Sequence, residues 1–132
     1  MTRSKKPAAP ARAKPIAPRT RPTRAIVDIG AITHNVRSIK ALIGPGVRLM
    51  AVVKADAYGH GLEPVSSALY RSGVRWFCVS TAEEAHRLRD RLARANILIM
   101  GPVDSRDARD LARRRIIFTL FTIDFADELD RL

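Results

Sequence analysis

One pattern governs what this chain can fold into. From Arg24 onward, short apolar runs alternate with stretches whose apolar residues recur every three or four positions. Val47–Val53, Val74–Val79, Ile97–Met100 and Ile116–Phe121 are near-continuous hydrophobic runs, as in strands of a parallel sheet. Ala25–Ile29 is a shorter β-like run at the front. Helical faces fall between and after them: Ile32, Val36, Ile39 and Ile43; Val65, Ala68 and Leu69; Ala82, Ala85, Leu88 and Leu92. Ala108, Leu111 and Ala112 form a fourth face, and Phe125 with Leu129 a last one. Strand–helix repeats of about 20–25 residues predict an α/β fold of parallel βα units. Periodicity fits both an open sheet of flavodoxin-like order and part of a barrel.

The punctuation agrees with this reading. Gly44 and Pro45 stop the first helix, because glycine accepts the left-handed C′ conformation and proline cannot continue. Pro64 suits a first helical position, and Gly73 ends that helix. Thr81 followed by Glu84 is a capping-box signature. Gly101-Pro102 closes the third long run; Asp104 or Ser105, and later Asp124, are the candidate caps of the last two helices.

Length and charge narrow the class. The 132 residues leave room for one domain, whereas a complete (β/α)8 barrel needs roughly 200 residues or more. No apolar run approaches the ~18 residues of a transmembrane span, and no apolar segment follows the N-terminal charges as in a secretory signal. The single cysteine, Cys78, excludes an internal disulfide and suits a cytoplasmic location. The net charge of +11 is concentrated in residues 1–24, which hold eight basic residues and no acid; the remainder carries only +3. That segment also holds five of the eight prolines, so residues 1–24 are expected to be a disordered basic tail and residues 25–132 the folded part. No aromatic residue is interleaved to stack on bases, which favours a solubilising extension over a nucleic-acid-binding role.

One segment carries chemistry: Met50-Ala51-Val52-Val53-Lys54-Ala55-Asp56-Ala57-Tyr58-Gly59-His60-Gly61. A lysine at the C-terminal end of a buried parallel strand stands where α/β folds and barrels place their ligands. A partly desolvated lysine can become a nucleophile toward carbonyls; the competing reading is a snorkelling side chain or an ion pair with Asp56. The glycines do not make a dinucleotide fingerprint, because Pro64 occupies the place of the third glycine and Glu84, a candidate ribose ligand with Glu83, already has a capping role. His34, His60 and His86 lie 26 residues apart with no cysteine or carboxylate at ligand spacing, so no metal site is expected. Cys78 reads as core, and Arg113-Arg114-Arg115 as a solvated helix end.

Val27-Asp28-Ile29 with His34-Asn35, then Gly44-Pro45-Gly46, then Ala51 to Gly61 resemble the N-terminal part of the alanine racemase family, a group of fold-type III pyridoxal-phosphate enzymes. Ser80-Thr81-Ala82-Glu83-Glu84-Ala85 and Ile97-Leu98-Ile99-Met100-Gly101 also fit, so the resemblance runs from about Ala25 to the end. It implies roughly the first half of a TIM-type (β/α)8 barrel, truncated, without the family's C-terminal β domain. It also implies pyridoxal 5′-phosphate as cofactor, bonded through its aldehyde to Lys54, with the Tyr58 hydroxyl on its phosphate and Met100 as an apolar wall. In the family this lysine is the base on one face of the substrate Cα, and a tyrosine of the opposite subunit serves the other.

The implied activity is interconversion of L- and D-alanine, supplying D-alanine for the cell wall, in a homodimer. The family's arginines for the pyridine nitrogen and the substrate carboxylate, and its second catalytic tyrosine, have no counterpart here. The isolated chain is therefore expected to be inactive. The alternatives are a non-catalytic cofactor-binding or assembly-partner fragment that needs a complementing chain, and a nucleic-acid binder led by the tail. A four-stranded half-barrel would also leave Ile116–Phe121 as an apolar edge in need of cover.

Overall fold

A computed structural model describes residues 25–131, so the expected tail over residues 1–24 lies outside the described residues. α1 (Ile29–Ile43) precedes β1 (Met50–Val52), a short turn α2 (Lys54–Tyr58) and α3 (Leu62–Arg71). β2 (Trp76–Val79), α4 (Ala82–Arg91), β3 (Asn96–Ile99), α5 (Ser105–Arg113), β4 (Ile116–Phe118) and α6 (Ile123–Asp130) complete the order. The four strands form one parallel sheet whose spatial order is their chain order. A flavodoxin-like sheet reverses direction partway. Continuous addition of each strand beside its predecessor is how a (β/α)8 barrel winds, and it decides between the two alternatives.

The sheet has one covered and one open face. Phe77, Val79, Ile97 and Ile99 are fully buried with Leu62, Leu88 and Leu111 on the helical side, where about 1.5–3 kcal/mol accompanies each such side chain removed from water. Strand alternation turns Val52, Cys78, Leu98 and Ile117, aligned by register, to the other side. There Val52 and Ile117 are exposed, whereas Cys78 is buried among its neighbours. Two-sided burial, suggested by the continuous apolar runs, is met on the helical face alone. The open face is the one a closed barrel would enclose.

Several elements differ from the sequence reading. Ala25–Asp28 forms no strand among the described residues: Asp28 turns the chain into α1 by accepting the Ala31 amide at 3.1 Å. β1 is shorter than Val47–Val53, with Val47 exposed ahead of it. Pro64 is third rather than first in α3, still within the turn whose N–H groups have no intrahelical partner. Thr122, not Asp124, caps α6 through the Phe125 amide at 3.2 Å. Of the arginine run, Arg114 is paired, at 3.2 Å from both Asp90 and Asp110, rather than only solvated. The fourth strand ends at Phe118, and Ile117, Leu120 and Phe121 are exposed, as the apolar-edge argument expected.

Candidate active site

Lys54 follows β1 by two residues, and the Val53 amide still donates to the Cys78 carbonyl at 2.9 Å, so the ladder runs up to the lysine itself. Lys54 lies near enough to Cys78, which the register aligns with Val52 on the open face, for its charge to act on that thiol. Its side chain is half-buried, and among the described residues it has neither the ion pair with Asp56 nor another hydrogen bond. The nearby Cys78 thiol is pushed up by burial, with the Lys54 charge pulling the other way.

Beyond Lys54 the backbone follows neither a strand nor a right-handed helix. Ala55, Asp56, Ala57 and Tyr58 all have φ between 52° and 56°, giving a turn of left-handed helix. Each such residue without glycine's freedom costs roughly 1–2 kcal/mol. Internal bonds offset part of this: Ala57 N–H to the Val53 carbonyl and Gly59 N–H to the Ala55 carbonyl, both 2.9 Å, and Gly61 N–H to the Asp56 carbonyl at 2.9 Å. Gly59, at φ 79°, ends the turn. His60 Nδ1 lies 2.9 Å from the Ala57 carbonyl and 3.0 Å from that of Tyr58. Both partners are acceptors, so Nδ1 carries the proton and the ring fastens the turn. Tyr58 itself is 59% exposed, and among the described residues its hydroxyl has no hydrogen-bond partner.

Neighbouring helices hold this turn from outside. Asp56 Oδ1 accepts the Leu62 amide at 2.9 Å, capping α3, whose own N-cap, Gly61, has no side chain to do so. Arg87 of α4 donates from Nε to Glu63 at 2.8 Å and lies 3.5 Å from Asp56. The Arg87 hydrogen bond holds the Glu63 carboxyl below its ordinary range. Thr81 accepts the Glu84 amide at 3.2 Å as the capping box requires. The Glu84 carboxylate, however, accepts from Ser80 N–H at 3.0 Å and from Asp56 N–H at 3.3 Å. Sequence reasoning missed Glu84 and Arg87 as supports of the lysine segment. Their spacing of three on α4, which aligns them on one helix face, was the available signal.

The next strand ends complete the rim. The Met100 amide donates to the Val79 carbonyl at 2.9 Å, and Met100 is partly exposed. Gly101 packs against the Ser80 carbonyl so closely that no Cβ fits between them. The arrangement is thus a primary amine at a strand end, a phenol on the turn after it, and apolar side chains beside it. Among the described residues there is no cluster of three His, Cys, Asp or Glu able to hold a metal.

The alanine racemase N-terminal domain family model matches residues 27–132. Alanine racemase 1 of Caldanaerobacter subterraneus subsp. tengcongensis is 42% identical over 111 residues, covering 84% of this chain and 29% of that protein. The Bacillus anthracis alanine racemase structure with bound L-Ala-P superposes with a TM-score of 0.75 at 37% identity, over 80% of this chain and 28% of that one. The Bartonella henselae alanine racemase structure with covalently bound pyridoxal phosphate gives 0.74 at 30% identity, over 80% and 29%. The chain thus spans less than a third of the length of these relatives. With the sequential parallel sheet and the lysine at its rim, these matches establish that the chain belongs to the alanine racemase N-terminal domain family.

Proposed function

We propose that this chain is the cofactor-binding half of an alanine racemase barrel, with Lys54 as the residue that bonds pyridoxal 5′-phosphate. The observation that carries the reading is Lys54 itself: a half-buried amine, unpaired among the described residues, directly beyond β1. The residues present fit the group. Lys54 supplies the amine for an aldehyde, Tyr58 supplies an exposed hydroxyl for a phosphate oxygen, and Val52 and Met100 offer apolar surface to a flat ring.

When bound, pyridoxal phosphate withdraws electrons from the substrate Cα and makes its proton removable. Lys54 would hold the aldehyde, and its Nζ would serve as the base on one face of the substrate Cα. Tyr58 donates a charge-assisted hydrogen bond to the phosphate. The opposite face of Cα requires a second acid/base group, and none of the residues described above is placed to supply it, so cofactor binding without turnover is the behaviour expected of these residues by themselves. A second copy within a homodimer, or a complementing chain, is the partner of this chain, alanine its substrate and the cytoplasm its compartment. Among the described residues no helix is long and apolar enough to cross a membrane.

The test is chemical. The chain is mixed with pyridoxal phosphate, reduced with borohydride and mapped by peptide mass. An adduct on Lys54 is expected; adducts elsewhere, or none, would sink the reading. No D-alanine is expected from the isolated chain, and turnover that disappears in Lys54→Ala would overturn its proposed inactivity.

A further inference from the structure

We infer that Glu84 is a positioning residue for Lys54, acting through the left-handed turn that follows it. The inference rests on the reading of Lys54 as the cofactor lysine. Residue type gives the turn little reason to be left-handed: of Ala55, Asp56, Ala57 and Tyr58, Asp56 alone is of a type that visits that region readily. The turn's internal bonds and His60 hold it locally, and a group outside adds to them. The first amides of any helical turn lack an internal acceptor, and the Asp56 N–H, two residues after Lys54, finds its acceptor in Glu84 Oε1.

The other oxygen of the same carboxylate accepts from Ser80, the first residue beyond β2. One side chain therefore ties the backbone just past Lys54 to the end of the adjacent strand. Glu84 sits in the first turn of α4, where the helix dipole favours an anion. Arg87, one turn along, braces the same turn through Asp56 and Glu63. Without the carboxylate, the Asp56 amide loses its acceptor, the turn relaxes toward commoner backbone angles, and Nζ of Lys54 leaves its place.

A general loss of helix stability must be told apart from this role, and Thr81 makes the separation possible. It caps the same helix, and among the described residues its side chain has no hydrogen bond to the turn. Amide hydrogen exchange of Asp56–Tyr58 and the apparent affinity for pyridoxal phosphate at Lys54 are measured in the wild type, Glu84→Ala, Glu84→Gln and Thr81→Ala. Glu84→Ala is expected to speed exchange in the turn and weaken cofactor binding, each about tenfold. Glu84→Gln, with one carbonyl oxygen left to accept, falls between. Thr81→Ala lowers global stability and leaves turn exchange and affinity, corrected for that loss, unchanged. The inference is overturned if Glu84→Ala leaves turn exchange as in the wild type, or if Thr81→Ala matches it in both readouts. A wild type that never labels Lys54 defeats the functional reading instead, and turn exchange still decides the role of Glu84. Should Glu84→Ala not fold, Glu84→Gln answers the same question.

Discussion

Gly101 and Ser80 meet backbone to backbone: a Cβ at Gly101 would stand well inside van der Waals contact with the Ser80 carbonyl oxygen. This contact brings the segments just beyond β2 and β3 together. A carbonyl in a strand-end loop cannot swing aside as a flexible side chain can. Gly101→Ala is expected to destabilise the fold by about 1–3 kcal/mol, the usual range for overpacking. A urea midpoint equal to that of the wild type would show that the two strand ends yield freely.

Leu88, fully buried at 0% exposure, fills the layer between α4 and the sheet. Leu88→Ala removes its packing and leaves a cavity, costing about 2–5 kcal/mol. Ile99→Val, at an equally buried site, costs about 0.5–1.5 kcal/mol. Equilibrium denaturation of the two variants should preserve that ranking.

Tyr58 offers a direct test of the cofactor cradle. Because the residue is 59% exposed, Tyr58→Phe should shift stability by no more than about 0.5 kcal/mol. Loss of a hydroxyl donor to a charged phosphate should nonetheless weaken pyridoxal-phosphate binding by about tenfold. Titration followed by cofactor fluorescence separates the outcomes: unchanged affinity would remove Tyr58 from the site.

Acid should loosen the support around the turn. The hydrogen bond from Arg87 holds the Glu63 carboxyl below its ordinary value. Its stabilising contribution is therefore complete above the unfolded-state value near 4.3 and is lost as pH falls through the lower folded value. Asp104, held well down by Arg106 on α5, adds a loss of the same sign. Stability measured from pH 6 downward should decline below about pH 4.3, and Glu63→Gln should make that decline shallower. An equally steep decline in the variant would exclude Glu63 as a contributor.

Much of the fold was legible because local pattern and final packing agree. Helical spacing found the buried positions Val36, Val65, Ala85, Leu88 and Leu111, and the capping signal at Thr81 is realised in the structure. Ala25–Ile29 misled because β propensity describes a residue's fit to a sheet, and these residues have no strand beside them among those described. The left-handed turn was illegible for the opposite reason. Ala55 and Ala57 carry no signal for positive φ, Asp56 alone is a weak one, and the groups that support the turn, Glu84 and Arg87, lie about 30 residues away on α4. Lys54 stands out in the sequence as a charge out of place at the end of an apolar strand; Glu84 and Arg87 look like ordinary surface charges until the fold brings them beside the turn that follows it.

The strand order carries a consequence for synthesis. Because each strand pairs with those next to it in the chain, no segment has to wait for a distant one before docking. β2 can settle on β1 once α3 has formed between them, and β3 and β4 can follow in turn as the polypeptide leaves the ribosome. The pairing therefore permits assembly from the N-terminal side onward, each of β1 to β3 offering its free edge as the seam for the strand after it.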